Sequence, residues 1–137
     1  MSSQARPTPK YFFVYAPDKT EAGTFERRMS VRPKHLETAH ERTGQGLIRM
    51  LDTVVNSVHA ALTIPPPSLV LEAACSTPES IASPDAPKKL IGSTFIYQAE
   101  SLEEVKKLVE SDVYYQSGVW DPEKIVITPF APATPLP

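Results

Sequence analysis

The order in which strand-like and helix-like segments follow one another constrains this chain more than any other feature. Tyr11-Phe12-Phe13-Val14-Tyr15-Ala16 is aromatic or β-branched almost throughout, the pattern of a strand with little solvent contact, and Pro17-Asp18 ends it. A short helix is expected over 24–30, with Phe25 and Met29 four residues apart on one face. Pro33 suits the first position of a second helix, where its missing N–H costs nothing. From Leu36 and Ala39 to Ala61 and Leu62 an apolar stripe then recurs every 3.6 residues or so. Gly44 and Gly46 interrupt it, each costing about 1 kcal/mol relative to Ala. Two readings compete: one long helix over 34–62 weakened at the glycines, or a helix to Thr43 followed by something else. The periodicity favours the long helix, stopped by Ile64-Pro65-Pro66-Pro67.

Beyond it, Ser68–Ala74 reads as a weak strand. Residues 76–89 carry Pro78, Pro84 and Pro87 among Ser, Asp and Lys, and read as a long mobile loop. Ile91–Ala99 alternates Thr94, Ile96 and Gln98 with Phe95 and Tyr97, a second firm strand. Ser101-Leu102-Glu103-Glu104 is a capping box that opens a helix with Leu102, Val105, Leu108 and Val109 on one face. Asp112–Gly118 is a turn or short helix, and Ile125-Val126-Ile127 forms the last strand, ended by Pro129.

The order β, α, β, β, α, β predicts an α+β fold: a ferredoxin-like βαββαβ plait, with a four-stranded antiparallel sheet and helices on one face. Residues 11–130 form one domain, with an extra segment around 47–67, a disordered lead-in over 1–10 and a Pro-rich tail over 131–137. The sheet's other face has no helix to cover it. Tyr11, Phe13, Tyr15, Phe95 and Tyr97 supply aromatic side chains for a ligand cavity or a partner there, and a homodimer is expected.

Composition removes several classes of function. A net charge of −2 speaks against a nucleic-acid binder, which needs clustered uncompensated Lys and Arg. No apolar run reaches the roughly 18 residues of a membrane span. The polar first ten residues lack the apolar stretch of a secretory signal, so cytoplasm is the expected location. The single cysteine, Cys75, allows no internal disulfide and no Cys-based zinc cage, and it reads as buried and inert. His35, His40 and His59 share no metal-ligand spacing, so no metal site is expected. Gly44-Gln45-Gly46 lacks the preceding strand and third glycine of a dinucleotide loop, and no cofactor is expected.

Two residues stand out as carriers of chemistry. If Pro33 opens a helix, His35 lies in its first turn, where the positive end of the dipole lowers the imidazole pKa and keeps a neutral base. The alternative is a surface or packed histidine at a helix start. Asp112 either caps the turn Val113–Ser117 or acts as a site carboxylate, with Tyr114, Tyr115 and Trp120 around it. Asp18-Lys19 reads as a turn with a solvated lysine.

Taken together, Tyr11–Lys19, Arg27–Leu36 with its Arg32-Pro33-Lys34-His35-Leu36 core, Gly92-Ser93, and Asp112-Val113-Tyr114 followed by Ser117-Gly118-Val119-Trp120 resemble the YCII-related (YciI-like) proteins, most closely their fungal branch. The resemblance covers about two-thirds of the chain. It implies a dimeric α+β barrel and a pocket in which His35 and Asp112 face each other as a catalytic pair. Arg32 and Ser93 match less diagnostic positions that bind a carboxylate or hydroxyl, or cap structure. Tyr114, Trp120 and Tyr15 are candidate substrate contacts. The chain departs from the family in some 20 additional residues between Gly46 and the loop before Gly92. The implied activity is isomerase or lyase/dehydratase chemistry, without a cofactor, on an oxygenated catabolic or secondary-metabolite intermediate. The alternative is a non-catalytic module for small-ligand binding or dimerisation.

Overall fold

Four strands and three α-helices make up the computed structural model, which describes residues 10–55 and 67–136, the side chains of 44–55 excepted. In chain order they are β1 (Lys10–Pro17), α1 (Thr24–Val55), β2 (Ser68–Ser76), β3 (Leu90–Ala99), α2 (Leu102–Glu110), α3 (Val113–Gln116) and β4 (Val126–Phe130). The sheet order is β2-β3-β1-β4 and every pairing is antiparallel. β3 therefore splits the β1-α1-β2 unit, which is the expected plait. Lys10, the last residue of the expected disordered lead-in over 1–10, is instead the first residue of β1; the rest of that lead-in, the helical stripe from Val58 to Leu62, His59 and the stop at Ile64–Pro66 lie outside the described residues.

Strand alternation sorts the sheet into two faces. Phe12, Val14 and Ala16 of β1 and Phe95, Tyr97 and Ala99 of β3 are buried in one core with Val105, Val109, Tyr114, Val119 and Trp120. That face carries the helices. Tyr11, Phe13 and Tyr15 point the other way, and Tyr15 is 39% exposed. The aromatic set expected on the open face was thus drawn from both faces: Phe95 and Tyr97 belong to the core. Leu71 and Val126 are exposed with Tyr15 on the open face.

Three boundaries differ from the sequence reading. Pro33 does not open a helix: α1 runs unbroken from Thr24 through Pro33, Gly44 and Gly46 to Val55. A proline there forfeits one helical hydrogen bond, to the Met29 carbonyl, and the helix continues because the turns on both sides pack onto the sheet and α3. This favours the long-helix reading, with the second strand at Ser68–Ser76. Pro129 lies inside β4 opposite Phe12, tolerated because β4 is an edge strand with no outer neighbour among the described residues. Residues 76–89 are knit rather than slack. Ser80 is buried in a one-turn 3-10 helix, Pro78–Ile81; its hydroxyl accepts from Lys89 N–H at 2.9 Å and its carbonyl accepts from Lys88 Nζ at 2.9 Å. The capping box of α2 forms as read, Ser101 Oγ accepting from Glu104 N–H at 3.2 Å.

Candidate functional site

The inward stripe of α1 is largely polar at its start. Among the described side chains of α1, Thr24, Arg28, His35 and Ala39 are buried, whereas Met29 is 44% exposed. Apolar periodicity pointed to Phe25 and Met29 as the packed pair because it counts apolar residues; here the buried face is the one that carries chemistry.

His35 occupies the centre of that stripe. Its Nδ1 meets both carboxylate oxygens of Asp112, at 2.9 and 3.0 Å. Asp112 is also the N-cap of α3, its Oδ1 accepting from Tyr114 N–H at 2.9 Å, so both readings of this residue hold at once. On the other side, His35 Nε2 is in direct hydrogen-bond contact with Glu72 Oε1. Glu72 reaches the ring because β2 is irregular between Leu69 and Leu71: Leu69 pairs with Tyr97 but Leu71 pairs with Ile96. The extra residue, Val70, shifts the alternation, so Glu72 stands opposite Phe95 on the helix-covered face. The ring is sandwiched further, stacked on Tyr114 at 3.9 Å and edge-on to Trp120 at 6.1 Å. Gly118, at φ +74°, makes the left-handed turn that carries the chain from α3 into Val119 and Trp120.

This arrangement fixes the charge on the imidazole. A neutral ring has one N–H and one lone pair, and here both nitrogens face carboxylates. Only the doubly protonated ring donates to both. Burial pulls the His35 pKa down, but hydrogen bonds to Asp112 and Glu72, and their charges, outweigh it, so the pKa lies above its ordinary value of 6.5. The helix dipole has no part in this, since His35 lies about three turns beyond the helix start. The expected neutral base with a lowered pKa is therefore corrected to an imidazolium held between two acids. A consequence follows for stability. The folded state holds this proton more tightly than the unfolded chain, so the contribution is complete below about pH 6.5 and fades as pH rises through the folded pKa. Asp112, Glu72, Arg28, Arg32 and the neutral Tyr114 are the ionisable groups around the ring. Urea unfolding of wild type and His35→Gln from pH 6 to 9 should show their stability difference shrinking towards pH 9. A difference that does not change with pH contradicts the charged ring.

Behind His35 lies a second buried charge. Arg28 donates to Asp18 Oδ1 at 2.7 Å and to Ser93 Oγ at 2.9 Å, and its guanidinium sits 4.4 Å over the Tyr114 ring. Trp120 Nε1 also donates to Ser93 Oγ, at 3.3 Å. Burial raises the Asp18 pKa against the opposing pull of Arg28. Burial likewise pushes the Tyr114 phenol up to about 12, so it stays neutral and serves as a platform rather than a base.

A cleft of about 370 Å³ opens between α1 and β2, with His35 in its wall. Arg32, Glu72, Leu36, Ala39, His40 and Val70 are among the residues that line it. Of the residues singled out from sequence, His35, Asp112, Tyr114 and Trp120 are brought together and Arg32 lies at the cleft. Ser93 is fully engaged behind it by Arg28 and Trp120. Tyr15 stands on the opposite face of the sheet from His35 and is not part of this cluster. Cys75 is half-buried on that same opposite face, its Sγ 3.1 Å from Thr94 Oγ1. Sequence reasoning missed Glu72, Arg28 and Asp18. The available signals were weak: a lone Glu in an apolar strand, and an arginine beside the Arg32–His35 segment.

Among solved structures, the fold is similar to 5-chloro-2-hydroxyhydroquinone dehydrochlorinase (TftG) from Burkholderia phenoliruptrix AC1100, in complex with 2,5-dihydroxybenzoquinone, with a TM-score of 0.58 at 17% identity. The match covers 88% of this chain and 93% of that one, and at such identity it establishes the fold. No curated protein sequence matches. The family model of the YCII-related domain spans residues 11–131, nearly all of the described plait, and the chain belongs to the YCII-related domain family.

Proposed function

We propose that this protein is a cofactor-independent enzyme that moves a proton on a small oxygenated organic molecule, as an isomerase or as a lyase of the dehydratase type. The observation that carries the reading is the buried His35–Asp112 pair beside a cleft of small-molecule size. Acid and base held close in a low-dielectric site is what proton transfer at carbon requires. Arg32 lines the cleft and has no acid partner among the described residues, so it suits an enolate, phenolate or carboxylate oxygen. Leu36, Ala39 and Val70 suit a carbon skeleton. TftG, on the same fold, is named for an elimination from a hydroxylated ring, which is the same class of chemistry. A catabolic or secondary-metabolite intermediate is the corresponding substrate. The exposed Tyr15, Leu71 and Val126 on the helix-free face fit a second copy of the chain, and the working unit of this reading is a homodimer.

The test is incubation of the protein with a small-molecule extract of its source organism, followed by mass spectrometry. One compound should be consumed, its product having the same mass (isomerisation) or lacking one water (dehydration). If a compound instead travels unchanged with the protein through gel filtration and nothing is consumed, the protein is a binding module.

A further inference from the structure

The site described above leaves open which group meets the substrate. His35 is nearly sealed: its side chain is 3% exposed and that of Asp112 4%, whereas Glu72 is 18% exposed. Asp112 occupies Nδ1 and Glu72 occupies Nε2, so neither ring nitrogen is free for a ligand. Tyr114 covers one face of the ring, and Trp120 and Phe95 approach it edge-on. The cleft reaches the ring beside Glu72, whose carboxylate has a second oxygen not engaged by His35. The irregularity at Val70 matters here, because without it Glu72 would lie on the open face with Tyr15.

Resting on the proton-transfer reading, we infer that Glu72 is the catalytic acid–base residue at the cleft end of an Asp112–His35–Glu72 chain, and that His35 and Asp112 are positioning residues behind it. Glu72 takes a proton from a carbon next to a carbonyl, and the C–H electron pair passes into an enolate whose oxygen faces Arg32. The carboxyl exchanges that proton with solvent, and a proton is then delivered from Glu72 to a different carbon, giving an isomer. Alternatively it goes to a leaving hydroxyl, whose C–O bond breaks with its electron pair and releases water. Neither route needs an oxidant, a reductant or a second reactant. The imidazolium keeps the carboxylate in place and bears against its charge in both directions of transfer. The near-complete burial of the His35 side chain, with both ring nitrogens already engaged, fits that supporting role better than direct attack.

Solvent deuterium is the probe. A metabolite extract in D₂O is incubated with wild type, Glu72→Gln, Glu72→Asp and Asp112→Asn, and deuterium incorporation is read by mass spectrometry. Wild type should label or convert one compound, and Glu72→Gln should be slower by about 100-fold or more. Its His35 Nδ1–H resonance, bonded to Asp112, should remain in the proton NMR spectrum, which a merely structural collapse would remove. Glu72→Asp keeps a carboxylate one methylene further back and should fall about tenfold; it decides the matter if Glu72→Gln does not fold. Wild-type labelling by Glu72→Gln, or by Glu72→Asp where the Gln variant is unfolded, beside an inactive Asp112→Asn overturns the role of Glu72 and leaves the proton-transfer reading standing. A wild type that neither labels nor converts any compound overturns both.

Discussion

Asp112→Ala is expected to abolish turnover and to lower the unfolding free energy by about 4 kcal/mol or more. Two separate losses add up in this variant. The N-cap of α3 disappears, worth about 1 kcal/mol, because Tyr114 N–H loses its acceptor. The imidazolium of His35 also loses the carboxylate that both of its oxygens present, and breaking a buried pair of this kind costs about 3–5 kcal/mol. Asp112→Asn separates the two. Asparagine is among the best N-cap residues, and its amide oxygen still accepts from Nδ1–H, so most of the stability should survive. Its charge does not, and the rate should fall by about 10²–10⁴. Urea unfolding and the deuterium-labelling assay measured on both variants check this. An Asp112→Asn protein with wild-type turnover would reduce Asp112 to a cap.

The same double duty explains why this residue was legible and others were not. Asp112 sits just after a helix with a strong capping signal, so its position at the start of α3 could be read locally. His35 could be named through the Arg32–Leu36 segment, but its environment could not, because the groups that set its charge come from β2 and α3. The sequence order was enough for the plait: Tyr11–Ala16 and Ile91–Ala99 are unambiguous strands, and Ser101 with Glu104 marks α2. Which aromatic residues face the helices was not legible. In β1 both alternating sets, Phe12-Val14-Ala16 and Tyr11-Phe13-Tyr15, look apolar enough to be core; Tyr15 is expected at the substrate because the helix-free face reads as the ligand cavity, whereas the cleft lies between α1 and β2. Glu72 escaped for a related reason. Strict alternation puts Leu69 and Leu71 on one face, and only the irregular pairing at Val70, a backbone event without a glycine or proline to announce it, turns Glu72 inward. Pro33 misled in the opposite direction, since a strong local helix signal was overridden by packing on both sides of it.

Arg28→Met should destabilise the protein by about 3–5 kcal/mol, the usual result of stranding one member of a buried ion pair. Asp18 would remain in the interior without the guanidinium that now sits 2.7 Å away, and Ser93 would lose a donor. Burial already raises the Asp18 pKa with Arg28 present, so without it the carboxyl should take up a proton on folding. The sign of the pH dependence follows. A carboxyl that binds its proton more tightly in the folded state loses stability as pH rises above its unfolded value, so the deficit of Arg28→Met should be smallest near pH 4 and grow towards neutrality. Adding Asp18→Asn removes the stranded charge, and the double variant should recover at least half of the loss; simple additivity in that cycle would show that the pair is not coupled. The consequence reaches the site through Tyr114, whose ring lies between the Arg28 guanidinium on one side and the His35 imidazole on the other. Arg28 therefore holds the platform on which the charged ring rests. The double variant, although stable, should still lose activity, because methionine cannot hold Tyr114 by a cation–π contact. A fully active double variant would separate this buried pair from the chemistry and leave it a device of the fold alone.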